Sequence, residues 1–318
     1  MTDRGLTSTN GRGREPWWVG VDIGGSGLKG AVLGSDPDRG LRRRLEWGAE
    51  GTTARVLTRS VVGFLDEAIA IDGASPGGIG VAVPGVLDEA AGIARHAANL
   101  GWEDLPIRRL LEEASGLPVV LGHDARAGGL AELRFGVARG ASEAFIMPVG
   151  TGISGAVVTG GRVLPGLVGE IGHLDVGTGV SCACGAVGCL ETVASAATLA
   201  RRYQARSGRD PGGAAGVASA VRAGDLVAIE LWSEAVDKLA QALAAYTSLL
   251  APEVIVVGGG LGQAGELLLS PLRAQLGARL TFQRLPKLKS SSLGMWVNAI
   301  GAALLARETL AAGSHYPL

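Results

Sequence analysis

Three short apolar runs in this chain stop at clustered glycines. Val19, Val21 and Ile23 alternate with smaller or polar residues and end at Gly24-Gly25. Phe145-Ile146-Met147 leads into Gly150-Thr151-Gly152, and Val254-Ile255-Val256-Val257 ends at Gly258-Gly259-Gly260. Short apolar runs closed by turn residues read as buried strands. Ile79–Val83, stopped by Pro84-Gly85, and Val119–Leu121 have the same form. Between them lie stretches with helical spacing. Arg55–Ile71 places Leu57, Val61, Phe64, Leu65 and Ala68 on one face, and Leu226–Leu250 does so with Leu231, Ala235, Leu239, Leu243 and Tyr246. Ala125–Leu133 and Val297–Leu310 complete the series. Strands alternating with helices predict an α/β fold. Ala31-Val32-Leu33 follows the first glycine turn and Ile153–Val158 follows the second, so both openings read as hairpins, the mark of an internal duplication into two α/β halves.

The chain has 318 residues, a length that predicts about two domains. Its 52 glycines are about twice the usual share, without the Gly-X-Y period of collagen. With 29 Lys+Arg against 30 Asp+Glu the net charge is −1, so no global basic field is offered to nucleic acid or an anionic membrane. No apolar stretch is long enough to span a bilayer. The polar start, residues 1–16 with Arg4, Arg12 and Arg14, lacks a signal-peptide core and is expected to be a disordered tail on a cytoplasmic protein. Gly208–Gly216 is expected to be a loose surface loop.

Four motifs carry chemistry. Asp22-Ile23-Gly24-Gly25-Ser26-Gly27, with Lys29 behind it, ends a strand in a carboxylate that can hold Mg²⁺ and in glycines that let backbone N–H groups approach phosphate. A plain glycine hairpin is the alternative. Gly150-Thr151-Gly152 offers a hydroxyl and backbone amides to phosphate, or is a tight hairpin. Gly258-Gly259-Gly260 offers a flat surface to adenosine, or is a βα turn. The fourth is the most specific: His173 followed by Cys182, Cys184 and Cys189 is a Cys₃His set typical of a closed structural zinc site, and it uses every cysteine of the chain. Such a site organises a loop and leaves no position for catalytic water.

The Asp22-Ile23-Gly24-Gly25 start, Glu170-Ile171-Gly172-His173, and the Cys-x-Cys-Gly-x-x-Gly-Cys-x-Glu run ending at Glu191 resemble the ROK family of bacterial sugar kinases and sugar-responsive repressors. The resemblance covers about residues 17–312. It implies the actin-like, hexokinase-like ATPase fold: an N-terminal α/β domain over 17–125, a larger C-terminal domain over 126–295, and a C-terminal helix over 296–318 that returns to the first, with ATP and Mg²⁺ held in a central cleft. It implies an ATP-dependent kinase acting on the 6-hydroxyl of a hexose, with Asp124 as general base. Asn99, His123, Glu170, His173 and Glu191 would orient the sugar; His173, Cys182, Cys184 and Cys189 would hold zinc. Asp22, Gly24, Gly25, Ser26, Lys29, Gly150, Thr151, Gly152, Gly258, Gly259 and Gly260 would hold the nucleotide. Asp124 also stands after a strand and before a helix, where α/β sites form, or it is an ordinary N-cap. Glu191 could likewise cap the helix that follows it, and Trp102 is expected to pack under the Asn99 loop.

Two departures from the family pattern bear on substrate. His123 stands where the family usually has Asn, which favours an amino sugar or epimer such as 3-amino-3-deoxyglucose, or simply substitutes one hydrogen-bonding group for another. Ser154 stands where Gly is frequent. N-acetylmannosamine or N-acetylglucosamine kinase and a non-catalytic sugar sensor are the alternatives. A repressor is disfavoured by the 21 residues ahead of Asp22. The partners expected are a small hexose and a second copy, as homodimer or homotetramer, with no nucleic acid and no membrane.

Overall fold

A computed structural model of the chain describes residues 16–34, 41–48, 51–97, 99–166 and 169–311. Of the expected 1–16 tail, residues 1–15 lie outside the described residues. The chain divides into two compact units at Ala131/Glu132 and Met295/Trp296. The first division falls inside a helix a few residues beyond the expected 125/126 boundary.

The first unit begins with the antiparallel hairpin β1 (Trp18–Gly24) and β2 (Gly27–Leu33), followed by β3 (Arg42–Glu46), α1 (Ala54–Asp72) and β4 (Ile79–Val83). A three-stranded sheet follows: β5 (Val86–Asp88), β6 (Ile93–Ala97) and β7 (Trp102–Leu105). Then come α2 (Ile107–Ser115), β8 (Val119–His123) and α3 (Asp124–Arg134), which enters the second unit. The main sheet has the order β3-β2-β1-β4-β8, with β1, β4 and β8 parallel. Val19, Val21 and Ile23 share a core with Leu57, Val61 and Phe64 of α1, as the strand and helix periods require. On β1 and β4, side chains on the opposite side are missing at Gly20 and Gly80. A Cβ at either would overlap the backbone of the last helix, at Ala299 and Ala302 respectively. This is where the glycine excess is spent: small residues on the sheet let a helix lie almost on its backbone.

The second unit continues with β9 (Ala144–Pro148), β10 (Ala156–Thr159), β11 (Arg162–Val163), α4 (Glu191–Ala194), α5 (Ala196–Ser207), α6 (Ala214–Arg222), α7 (Leu226–Leu250), β12 (Val254–Gly258), α8 (Gly259–Gly262), α9 (Glu266–Arg279) and β13 (Lys287–Ser290). The final helix, α10 (Val297–Ala311), belongs to the first unit and packs on β1, β2, β4 and β8. The second sheet has the order β11-β10-β9-β12-β13, with β9, β12 and β13 parallel. Alternate residues of β9 serve two cores. Phe145 and Met147 meet Leu239, Leu243 and Tyr246 of α7, while Ala144 and Ile146 meet Leu133 and Ala138. The expected loop over Gly208–Gly216 is shorter than predicted, because Ala214–Gly216 already form the first turn of α6; a Cβ on Gly216 would overlap the Pro211 carbonyl, so the loop packs against that turn. Among the described residues no helix is long and apolar enough to cross a membrane.

Candidate functional site

In the first unit Asp22, His123 and Asp124 of the expected site stand at the carboxyl ends of the parallel strands β1 and β8, where an open α/β sheet forms its sites. Asp22 is buried on β1 and its register partner across the hairpin is Lys29, whose Nζ donates to Asp22 Oδ2 at 2.8 Å. Asn298, on the first turn of α10, donates from Nδ2 to the other oxygen at 3.4 Å. The glycine contacts between sheet and helix bring that asparagine here, and a Cβ on Gly128 of α3 would overlap Asn298 in turn. Burial pushes the Asp22 carboxyl above its ordinary range; Lys29 and Asn298 pull against this, and the charge of Asp124 adds to it. Gly25 and Ser26 form the turn.

Asp124 opens α3 directly after β8. Its Oδ1 accepts the N–H of Ala125 at 2.6 Å and lies 3.3 Å from His123 Nδ1. This is not the side-chain bond of an N-cap, which would reach two or three residues ahead. The carboxylate is therefore held at the helix start, partly open to solvent. Asn99 is exposed in the turn between β6 and β7, and its backbone carbonyl lies beside Gly25. Trp102 is buried beneath that turn and donates from Nε1 to the Thr52 carbonyl at 2.6 Å, the packing role its sequence position predicts. An open cavity of about 330 Å³ beside β8, lined by Glu89, Arg108, Glu112 and Leu305 among others, contains none of the expected substrate residues.

The second unit assembles a different set. The ends of β9 and β12 are tied together: Val149 N–H donates to the Gly258 carbonyl at 3.1 Å and Leu261 N–H to the Val149 carbonyl at 3.1 Å. Gly259 has φ +70 and lies against the Val149 backbone, a conformation and a space that admit no side chain. The three glycines thus turn a strand into the short helix α8 beside Gly150. Glu191 reaches the same place. Its Oε2 accepts the N–H of Ile153 at 2.8 Å, and a Cβ on Gly152 would overlap that oxygen. Glu191 stands at the start of α4, but this carboxylate bond runs to the Gly150 loop, not to the helix. Gly172 lies equally close to the Ile153 backbone, fixing the short 3₁₀ turn Ile171–His173 beneath exposed Glu170 and His173.

His173, Cys182, Cys184 and Cys189 converge, with ligand atoms all within 4.8 Å of one another. Cys184 Sγ and Cys189 Sγ are 3.7 Å apart, and Cys182 Sγ is 3.8 Å from His173 Nδ1. The first spacing is far from a disulfide's ~2.05 Å. It is the edge of a tetrahedron with metal–sulfur bonds of about 2.3 Å, which is about 3.8 Å. Burial, with Cys184 and Cys182 close by, pushes the Cys189 thiol up to about 12, so a thiolate there calls for a cation. The donor set and its spacing fit a tetrahedral zinc-type ion. Of the expected residues, the structure therefore brings together Asp22, Lys29, His123 and Asp124 in one unit. In the other it joins Gly150–Gly152, Gly258–Gly260 and Glu191, with His173 beside the cysteines. Sequence reasoning missed Asn298 and Glu89, which arrive from distant segments and belong to no motif, and Arg126, two residues beyond Asp124, whose partner Glu89 lies 37 residues away.

Two five-stranded sheets of one topology, each with a glycine turn after its first strand, are the actin-like, hexokinase-like ATPase fold. The ROK family profile matches residues 18–309, and the chain belongs to the ROK family. A glucokinase of Halalkalibacterium halodurans is 34% identical, over 82% of this chain and 86% of the relative. The crystal structure of a ROK hexokinase from Thermus thermophilus matches with TM-score 0.78 at 35% identity, over 91% of this chain and 97% of that one. A ROK glucokinase from Streptomyces griseus, solved in complex with glucose and AMPPNP, matches with TM-score 0.79 at 28% identity, over 92% and 99%.

Proposed function

We propose that this chain transfers the γ-phosphoryl group of ATP to the 6-hydroxyl of glucose or a glucose-like amino sugar. That it is a sugar kinase rests on its kinase relatives; the acceptor, the hydroxyl and the residue roles are our reading. The observation that carries it is Asp124, a half-buried carboxylate held at a strand-to-helix junction, beside a buried Asp22 of like charge.

Mg-ATP, when bound, supplies the phosphoryl group and the cation that neutralises its charge. Asp124 takes the proton of the 6-hydroxyl as the bond to phosphorus forms. Asp22 is the carboxylate placed for the metal, with Lys29 as its partner until then. Gly24, Gly25, Ser26, Gly150, Thr151 and Gly152 offer backbone and hydroxyl donors to phosphate, and Gly258, Gly259 and Gly260 take adenosine. Asn99, Glu170, His173 and Glu191 orient the sugar hydroxyls. His173, Cys182, Cys184 and Cys189 would hold zinc, which would fix the segment that runs into Glu191; His173, whose Nδ1 faces Cys182, would keep Nε2 for the sugar.

His123 is the residue that would read the amino or hydroxyl group of the acceptor: its Nδ1 lies 3.3 Å from Asp124 Oδ1, which leaves Nε2 as the ring nitrogen for the sugar. The test is ADP release from zinc-loaded protein with Mg-ATP. Glucose, mannose, their N-acetylamino forms and 3-amino-3-deoxyglucose are run in parallel, with Asp124→Asn as control. Turnover of one sugar, lost in the control, supports the reading. Folded, zinc-bound protein that turns over none of them overturns this substrate set.

A further inference from the structure

The base sits where a strand becomes a helix, and the neighbouring backbone is gripped from outside the junction. Glu89, in the turn between β5 and β6, directs one carboxylate oxygen to both sides of Asp124. Glu89 Oε1 accepts the backbone N–H of His123 at 3.2 Å and is ion-paired with Arg126 Nη2 at closer range. Both side chains of the pair are largely buried.

The turn that carries Glu89 is itself fixed. Arg108 of α2 donates from Nη1 to the Ala90 carbonyl at 2.9 Å and from Nη2 to the Glu89 carbonyl. Its backbone N–H donates to the Gly92 carbonyl at 3.1 Å, and Ala91 N–H closes the turn on Asp88 Oδ1 at 2.9 Å. Glu89 is thus a carboxylate on a braced support.

We infer that Glu89 is a positioning residue for the Asp124 base, holding the chain at His123 and Arg126 so that the carboxylate between them keeps its aim. A buried ion pair serving stability alone has no need of the His123 amide. This one binds a backbone donor on one side of the base and a guanidinium on the other, and charge-assisted bonds of that kind fix orientation. The inference rests on the kinase reading for its kinetic consequence, but the grip on His123 can be measured without it.

The experiment compares Glu89→Ala with Glu89→Gln in the full chain. Glutamine keeps an oxygen for the His123 N–H and for Arg126. Misplacing a reacting group by about 1 Å costs on the order of 100-fold. Glu89→Ala is expected to lower kcat by about 10- to 100-fold. The KM for sugar and for ATP should stay near wild type, and Glu89→Gln should recover most of the rate. Hydrogen exchange of the peptide carrying the His123 amide should quicken in Glu89→Ala and return in Glu89→Gln. An unchanged kcat in Glu89→Ala overturns the inference. So does a loss shared equally by kcat, KM and melting temperature that glutamine does not restore. If the wild-type protein phosphorylates no hexose, the kinase reading fails on its own, and exchange at His123 still decides: unaltered exchange in Glu89→Ala overturns the grip, and faster exchange supports it.

Discussion

The two sheets share an order and a pattern of directions but not a chemistry. Each has a central strand flanked on one side by an antiparallel hairpin and a third strand, and on the other by two parallel strands. In the first, the turn after the central strand follows a buried carboxylate, and charged side chains collect at the strand ends: Asp22 with Lys29, and Asp124 beside His123. In the second, the corresponding turn is Gly150-Thr151-Gly152, with no acid of its own. It borrows Glu191 from α4, whose Oε2 takes the Ile153 amide. Its other tools are backbone donors and a set of four side chains, His173, Cys182, Cys184 and Cys189, spaced to hold a metal ion. One topology thus supports two strategies: side-chain charge with altered proton affinity, and backbone geometry fixed by glycine beside a ligand set that fits a cation. The first should be sensitive to removal of a charge, the second to removal of a metal or addition of a methyl group.

The largest effect expected from breaking the first strategy is that of Asp124→Asn. Loss of a general base costs about 10²–10⁴ in rate, so kcat for the preferred sugar should fall within that range. Metal content and melting temperature should stay at wild-type values, since among the described residues Asp124 holds only its neighbours Ala125 and His123. Stopped ADP production with unchanged calorimetry would support the division of labour; a large fall in stability would break it.

The complementary test is removal of metal from the second unit. Cys189 is buried while Cys184 is exposed, so Cys189→Ser strikes the sheltered ligand. Elemental analysis should find one zinc per chain in wild type and none in the variant. Perturbing the shell that orients a functional group typically costs about 10–100-fold, and we expect that loss in kcat/KM for sugar, carried by KM. Hydrogen exchange should rise over residues 173–191 and stay constant over β1 and β8. A variant that keeps both zinc and sugar affinity would overturn the metal assignment.

How much of this was legible in the chain follows from the same contrast. The metal set could be read because its cysteines lie within one short loop and their spacing is chemical in itself. The buried strands could be read because Val19–Ile23 and Val254–Val257 are sheltered on both faces, β1 at the centre of its sheet and β12 beside the centre of the other. The small β5-β6-β7 sheet could not: Ile93–Ala97 and Trp102–Leu105 are short and interrupt their apolar residues with adjacent charged or polar ones, and Arg95 binds both Asp88 and Asp104 across the three strands. Asn298 could not be read either, because it meets Asp22 across 276 residues of sequence, through a close approach of α10 that depends on absent side chains at Gly20 and Gly80. Glu89 shares that fate, meeting Arg126 across 37 residues of sequence. Local periodicity predicts elements, while the residues that tune a carboxylate come from whichever element packs against it.

Gly152→Ala sharpens the second strategy at smaller amplitude. The added methyl group would overlap Glu191 Oε2 and push the carboxylate off the Ile153 amide. Overpacking of this kind costs about 1–3 kcal/mol, visible as a lower melting temperature. Sugar KM should rise with little change in kcat if the displaced group has the proposed role of orienting substrate. A rise confined to ATP KM would instead assign Glu191 to the nucleotide.

The smallest effect expected is also the most diagnostic of the first strategy. Burial holds the Asp22 proton more tightly in the folded chain than in the unfolded one. A carboxyl raised in this way contributes most to stability below its unfolded value, near 3.9, and that contribution is lost as pH rises through the higher folded value. At pH 7–8 the fold therefore bears the cost of a buried charge that Lys29 offsets only in part. Replacing the pair by Asp22→Asn with Lys29→Met removes both charges together, avoiding a stranded ammonium. Substitutions of buried ion pairs by neutral groups are neutral or stabilising, by up to about 1–4 kcal/mol, and we expect a gain near the lower end at pH 7.5 that shrinks toward pH 4. The corresponding change in the other sheet, Thr151→Val, titrates nothing and should leave the pH dependence of stability as it is in wild type. Equal pH profiles for wild type and the double variant would mean that the Asp22 charge carries no folding cost, and the contrast between the two turns would then be one of shape and not of charge.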